Sequence, residues 1–178
     1  MFHDKLKPKT QTGGELLSSP NNLTAGTSGE SGDRAYWDAR QAALGISTNG
    51  EALLPDEIVF CERLRKQYPD QSLDTVLEWL KQGQIGERGV RDAEYDFVWM
   101  AYDGQKWELK SSITQRYESI KQRLKDDLAK GKTRFIIDLG VGELTDELRR
   151  QLSTYASKRS ISGMAVLSND GATLTFIA

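Results

Sequence analysis

The sequence predicts an α/β (α+β) domain, a mixed β-sheet flanked by helices. A hairpin is the first observation behind this prediction: the aromatic and β-branched segment 95–102, the turn pair Asp103-Gly104, and a return strand at 106–110. A nearly continuous apolar run at 133–139 is typical of an interior strand. Apolar residues also recur at helical spacing in three segments, 55–68, 114–130 and 145–158. Helices that alternate with strands in this way are expected to cover a sheet.

The amino-terminal part of the chain divides into two predicted segments. Residues 1–33 are rich in Gly, Ser, Thr, Asn and Pro, which bury too little apolar surface to offset the entropy of ordering, so we expect a flexible linker. Residues 34–54 form a predicted helical lead-in, with Asp33 as N-cap of a short helix that Gly45 ends. The main domain is predicted over residues 55–178.

Within the main domain, the first helix is predicted to begin at Pro55 and end before Pro69. A further helix is predicted from Ser72 through Leu80, closed by the glycines at 83 and 86. Two closing strands, 164–167 and 173–177, are expected around the turn Asn169-Asp170-Gly171.

Composition and charge exclude several classes of protein. The 178 residues contain one cysteine, so no disulfide can form within the chain, and no apolar run approaches the roughly 20 residues of a membrane span. The net charge of -2 does not by itself indicate nucleic-acid binding. It conceals an asymmetry, however, because residues 111–178 carry +3 and the remainder carries -5. A phosphate-binding surface could use the basic part.

The predicted hairpin carries the chemically informative residues. Glu108 and Lys110 are two apart on a strand, so their side chains share a face, whereas Trp107 and Leu109 point into a core. Asp96 lies on the neighbouring strand. Two close carboxylates repel each other unless a cation lies between them, and hard oxygen ligands suit Mg²⁺ or Mn²⁺. Such an ion activates water and neutralises phosphate charge, which an adjacent lysine can assist. Phosphodiester hydrolysis is therefore the predicted chemistry.

The length of the hairpin turn decides whether these residues meet. A two-residue turn at 103–104 would place Asp96 opposite Ser111, on the face away from Glu108 and Lys110. A loop with an odd number of residues, such as 103–105, or a bulge would return Asp96 to their face. We predict that irregularity.

The order Asp96…Glu108-Leu109-Lys110, then a helix, then Phe135-Ile136-Ile137-Asp138-Leu139, resembles the PD-(D/E)xK nuclease superfamily. Over residues 55–178 it is similar to the C-terminal nuclease toxin domains of contact-dependent growth inhibition (CdiA-type) proteins. Tyr95 stands where the family motif has proline. The resemblance implies a restriction-endonuclease-like fold and an antibacterial nuclease that cleaves nucleic acid, with tRNA favoured, using Mg²⁺ (or Mn²⁺ or Zn²⁺). Asp96 and Glu108 would hold the metal and Lys110 would assist.

The same resemblance implies a cognate immunity protein, and secretion as the C-terminal part of a larger protein that is delivered to a target-cell cytoplasm. Residues 1–33 would then be a linker or a remnant of an upstream region. Many members of the superfamily also use a glutamate from the first helix. Here Glu57 is the preferred catalytic candidate, with Glu62 and Glu94 as alternatives.

Several assignments have a simpler structural reading. Glu57 would also be favoured in the first turn of a helix by the helix dipole. Nucleic-acid contacts are assigned to Gln115, Arg116 and Lys121, which could instead be ordinary surface residues. One basic run is expected to form a solvated helix face or a footprint for a nucleic-acid backbone: Lys121, Arg123, Lys125, Lys130, Lys132 and Arg134. Two alternatives remain for the whole chain, namely a DNA endonuclease of the restriction or repair type and an inactive nuclease fold that only binds a partner.

Overall fold

The computed structural model describes residues 31–48, 50–80, 95–112 and 114–178. Its helices are α1 (Ser31–Leu44), α2 (Pro55–Arg65), α3 (Leu73–Val76), α4 (Tyr117–Ala129) and α5 (Asp146–Lys158). Its strands are β1 (Glu78–Trp79), β2 (Phe97–Val98), β3 (Lys106–Ser111), β4 (Arg134–Asp138), β5 (Gly163–Ser168) and β6 (Thr173–Phe176). The predictions made for residues 1–30, for Gly83 and Gly86, and for Glu94 fall outside the described residues.

The strands form one mixed six-stranded sheet in which the spatial order follows the chain order, β1 to β6. The central strands β3, β4 and β5 are parallel, and the outer pairs β1–β2, β2–β3 and β5–β6 are antiparallel. Parallel neighbours require crossover connections, which α4 and α5 supply between β3 and β4 and between β4 and β5. The α+β class predicted from the sequence is confirmed.

Helices cover both faces of the sheet. On one face, alternate side chains of the central strands pack with residues of α1 and α2, including Trp37 and Phe60. On the other face, the intervening strand residues pack against α4 and α5. Alternation along β4 shows the division, because Ile136 belongs to the first core and Phe135 and Ile137 belong to the second.

The predicted positions of α2, α4, α5, β3, β4 and the two closing strands are confirmed to within a few residues. Three predictions for residues 31–102 are wrong in the bounds of the element. Helix α1 begins at Ser31, so Asp33 lies in its first turn and is not its N-cap. The predicted strand 95–102 is paired only over Phe97–Val98, because the chain turns away after Trp99. The predicted helix from Ser72 ends at Val76.

The last of these corrections has a tertiary cause. The apolar residues after Val76 fit a helix or a strand equally well, and Trp79 pairs with Phe97 in the sheet and stacks on its ring at 6.0 Å between centroids. Leu77 is accordingly extended. Pairing with β2 therefore outweighs the local helical pattern. Across the described ranges, none of the helices combines the length and apolarity that would cross a membrane.

Candidate active site

The hairpin between β2 and β3 has the predicted irregularity. Phe97 faces Trp107 and Val98 faces Lys106. Backbone hydrogen bonds then close the loop at Trp99 and Gln105, which leaves the odd-length segment 100–104 as the turn. The paired register ends at Phe97, and the N–H of the preceding residue, Asp96, also donates to the carbonyl of Trp107. The predicted odd-length loop is confirmed, although the loop begins earlier than Asp103.

Asp96 lies beside the edge of β3, immediately before Phe97, the first residue of β2. Its Oδ2 accepts a hydrogen bond of 2.8 Å from the backbone N–H of Leu109. Its own backbone is held on both sides, because its N–H donates to Trp107 and its carbonyl accepts from Leu80. The carboxylate thus accepts a β3 backbone hydrogen bond that a longer β2 strand would otherwise accept. Its other oxygen, Oδ1, makes no hydrogen bond within the described part of the chain.

Glu108 belongs to a closed cluster of charges beneath α4. Its Oε1 lies 3.2 Å from Nζ of Lys110, and its Oε2 lies 2.7 Å from Nζ of Lys132. Asp127 of α4 completes the ring: it pairs with Lys110 through Oδ2, and its Oδ1 lies 3.4 Å from Lys132. The side chains of Glu108, Asp127 and Lys132 are each 8% exposed. Two acids and two lysines therefore neutralise each other in a nearly dry setting.

Sequence reasoning missed two members of this ring. Lys132 was assigned to a solvated basic surface, but it follows the glycine that ends α4 and turns inward, so that assignment is wrong. The position of Asp127 in the sequence indicated that its side chain would be buried. It lies three residues after Leu124 and seven after Ile120, on the buried stripe of α4, where a charge requires a partner.

Burial and charge act differently on the carboxylates of the site. Burial, followed by repulsion from Glu108, raises the pKa of Asp96 to about 7. For Asp127, burial acts in the opposite sense but is outweighed by hydrogen bonds and charge from Lys110 and Lys132, so its pKa is lowered. The two lysines thus outweigh the effect of burial on the pKa of Asp127, whereas at Asp96 they do not outweigh burial and repulsion from Glu108.

Glu57 lies near this charge but has a structural role as well. Its Oε1 accepts a 2.7 Å hydrogen bond from the backbone N–H of Leu54, which caps the start of α2. Burial raises its pKa to about 7, against the effect of that hydrogen bond, and repulsion from Asp96 contributes further. Glu57 therefore caps α2, as the structural reading predicts, and its charge is coupled to that of Asp96. The alternative Glu62 instead forms an ion pair with Arg40 of α1.

The structure does not join the predicted nucleic-acid contacts to the charge cluster. Gln115 packs on Gly142, whose α-carbon leaves room for its amide. Arg116 is the N-cap of α4 and lines a shallow cavity beside Tyr117. Lys121 pairs with Glu118 at 3.5 Å on the same helix. These three residues lie on the surface at or near the start of α4.

Asp138, the last residue of β4, forms a second buried ion pair. Its Oδ2 lies 3.0 Å from Nη1 of Arg63 in α2, and its Oδ1 accepts from the backbone N–H of Gly140. Arg63 also reaches Asp170 in the β5–β6 turn at 3.0 Å. These contacts fasten α2 to the carboxyl ends of the parallel strands. The helix that carries Glu57 is therefore fixed relative to the sheet that carries Glu108.

The donor set suits a cation of a particular kind. Among the described residues, no three His, Cys, Asp or Glu side chains are grouped closely enough to hold a metal ion by themselves. A structural zinc site, which normally takes four protein ligands, is not provided there. Mg²⁺ is commonly bound through one or two carboxylates together with water and substrate phosphate. Asp96, with Oδ1 free of hydrogen bonds to the described residues, and Glu108 beside it fit that mode.

No family model, curated protein or solved structure matches the chain. Its function is therefore inferred from these residues and their arrangement.

Proposed function

We propose that the chain is a metal-dependent nuclease of the PD-(D/E)xK type that acts as an antibacterial toxin on nucleic acid, with tRNA as the favoured substrate. The toxin role and the preference for tRNA rest on the sequence resemblance, and one observation carries the metal-dependent chemistry. The odd-length hairpin loop brings Asp96 to the edge of β3 beside Glu108, with Lys110 on the same strand face. These are the three residues whose combination the chemistry requires.

Asp96 and Glu108 are the residues that would hold Mg²⁺ or Mn²⁺. Such an ion supplies an activated water and neutralises charge on the scissile phosphate. Asp96 is positioned for this role by the Leu109 N–H, which fixes one carboxylate oxygen at the edge of β3. Glu108 is positioned by its two lysines. The backbone positions of Asp96 and Glu108 are therefore set before any ligand binds.

Lys110 would provide the positive charge that the reaction requires near the phosphate. Its Nζ is held between Glu108 and Asp127, and its side chain is 17% exposed, the most open of the lysines in the ring. An ammonium group has three donors, so two acidic partners leave one N–H for an attacking water or a phosphate oxygen. Asp127 restrains Lys110 without competing for its remaining proton.

The inactive binding module remains the second candidate because of one observation. Both carboxylate oxygens of Glu108 already form ion pairs with lysines, and the cluster of two acids and two lysines has no net charge. A buried ion network of this kind can exist solely to specify a fold. The difference between the two candidates lies in Asp96, whose charge the ring does not neutralise.

Purified protein incubated with total tRNA, and separately with plasmid DNA, tests the proposal and separates tRNA from DNA as substrate. Cleavage is expected with Mg²⁺, none with EDTA, and none for Asp96→Ala or Lys110→Ala. Lys158→Ala, which removes an exposed lysine at the end of α5, is the matched control and should cleave like the parent. Cleavage that persists in EDTA, or in either variant of the site, would overturn the proposal.

The toxin role has its own test. Induced expression of the chain in a bacterium is expected to arrest growth and to shorten total RNA on a gel, and Asp96→Ala should do neither. Delivery from a larger secreted protein and neutralisation by an immunity protein are part of the same proposal. Growth that continues while the wild-type protein accumulates in folded form would contradict the toxin role.

A further inference from the structure

We propose that Lys132 is a resident cation of the site, which occupies Glu108 until a divalent metal ion displaces it onto Asp127. The inference rests on the proposed metal-dependent function. It concerns a residue outside the Asp/Glu/Lys triplet, and it assigns to Asp127 the role of receiving the displaced lysine.

Lys132 lies within ion-pair distance of two carboxylates at once. Its Nζ lies 2.7 Å from Oε2 of Glu108 and 3.4 Å from Oδ1 of Asp127. The shorter contact occupies an oxygen that a metal ion shared with Asp96 would need. The longer contact puts a second carboxylate within ion-pair distance, so the ammonium group could move onto Asp127 by a small rotation of the side chain. The backbone of Lys132 is fixed independently, because its N–H donates to the Asp127 carbonyl.

Charge explains why such a lysine is required. Glu108 is 6% exposed and lies beside Asp96, so without a cation two negative groups would face each other in a poorly hydrated space. Lys110 alone cannot neutralise Glu108, Asp127 and Asp96. Lys132 supplies the missing positive charge while the metal ion is absent, and its ammonium group is also 5.8 Å from the centre of the Tyr95 ring.

The consequence is competition between Lys132 and the metal ion. Removing one positive charge from the site must strengthen binding of a divalent cation, whichever neighbouring groups are ionised. For a lysine about 5 Å from the ion, even the screening of bulk water corresponds to roughly tenfold in the Kd. A lysine that only supports the fold would have the opposite effect, because its loss would loosen Glu108 and weaken the metal site.

The test is titration of Mn²⁺ into the protein without nucleic acid, with free Mn²⁺ measured by electron paramagnetic resonance. Lys132→Met is expected to lower the Kd by about tenfold or more, and Lys132→Arg, which keeps the charge, should stay near the wild type. Lys130→Met is the matched control. Its side chain is 58% exposed and 4.0 Å from Asp127, so its loss should change the Kd by no more than about twofold.

A second variant covers the case in which Lys132→Met does not fold. Asp127→Asn removes the carboxylate that receives the lysine and should raise the Kd for Mn²⁺. A Kd for Lys132→Met equal to or above that of the wild type, or an unchanged Kd for Asp127→Asn, would overturn the inference. If either of these Kd outcomes is found while the wild type cleaves nucleic acid with Mg²⁺, the inference about Lys132 is overturned and the proposed nuclease function is not. If no variant binds Mn²⁺ and the wild type does not cleave, both proposals fail.

Discussion

Replacing Asp96 by Asn should inactivate the protein and make it more stable. The amide oxygen of Asn can accept the hydrogen bond from the Leu109 N–H, so the backbone around β3 is retained. What disappears is a carboxylate that is partly buried beside Glu108. A residue kept for its reactivity is often one whose neutral replacement relieves electrostatic strain.

The magnitude follows from the pKa of Asp96. A carboxyl group whose pKa is 3.8 in the unfolded chain and about 7 in the folded protein destabilises the fold by about 4 kcal/mol when it must ionise. Asp96 keeps some contact with solvent, and two lysines are nearby, so we expect Asp96→Asn to gain about 1 to 4 kcal/mol at pH 8. Below about pH 4, Asp96 is protonated in both states and the two proteins should differ little. Between those limits, the wild type loses stability relative to the variant as the pH rises, because the unfolded chain ionises first.

Urea denaturation followed by circular dichroism, repeated from pH 4 to pH 8, measures this difference. Asp126→Asn is the control: Asp126 is an exposed residue of α4, so its replacement should change stability by no more than about 0.5 kcal/mol at any pH. The reasoning is refuted if Asp96→Asn is less stable than the wild type at pH 8. A stability difference that stays constant across the pH range would refute it equally.

Four further substitutions test the surrounding framework by urea denaturation at pH 7. Glu108→Gln leaves buried lysines without full compensation and should cost about 3 to 5 kcal/mol; a loss below about 1 kcal/mol would show that the cluster is open to water. Arg63→Met removes the partner of the buried Asp138 and should cost about 3 kcal/mol, and a neutral effect would mean that the pair does not fasten α2. Gly171→Ala should cost more than about 2 kcal/mol, because φ is +88° and a Cβ would lie 2.5 Å from the Arg63 carbonyl oxygen. Gly104→Ala has a similar φ of +67° in open space and should cost only about 1 kcal/mol, so equal losses at the two glycines would remove the steric explanation.

Strands and helices could be predicted from the sequence where the pattern of apolar residues fitted only one of the two structures. The run 133–139 is apolar at nearly every position, and strand β4 is buried on both faces, so its identity did not depend on neighbours. Helix α5 has a wide apolar stripe and an N-cap at Thr145 whose side chain accepts from the Leu148 N–H. Short apolar segments such as 76–80 satisfy both periods, and only the partner strand decides between them.

Some residues of the candidate site could likewise be predicted from the sequence, and others could not. Alternation along β3 placed Glu108 and Lys110 on one face, and parity showed that the turn must be irregular for Asp96 to join them. Lys132 could not be found by spacing within one element, since it enters the site from the connection between α4 and β4. Its position depends on the parallel alignment of β3 with β4, which pairs Glu108 with Phe135. That alignment is a tertiary property.

The central claim is that Asp96 and Glu108 together bind the metal ion that nucleic-acid cleavage requires. The most direct measurement is single-turnover cleavage of end-labelled tRNA by the wild type and by Asp96→Asn, at matched concentrations of folded protein and across a Mg²⁺ titration. The wild type is expected to show a rate that rises and saturates with Mg²⁺, and the variant, although folded and more stable, no cleavage at any concentration. Cleavage by Asp96→Asn at the wild-type rate, or a wild-type rate that does not depend on Mg²⁺, would contradict the claim.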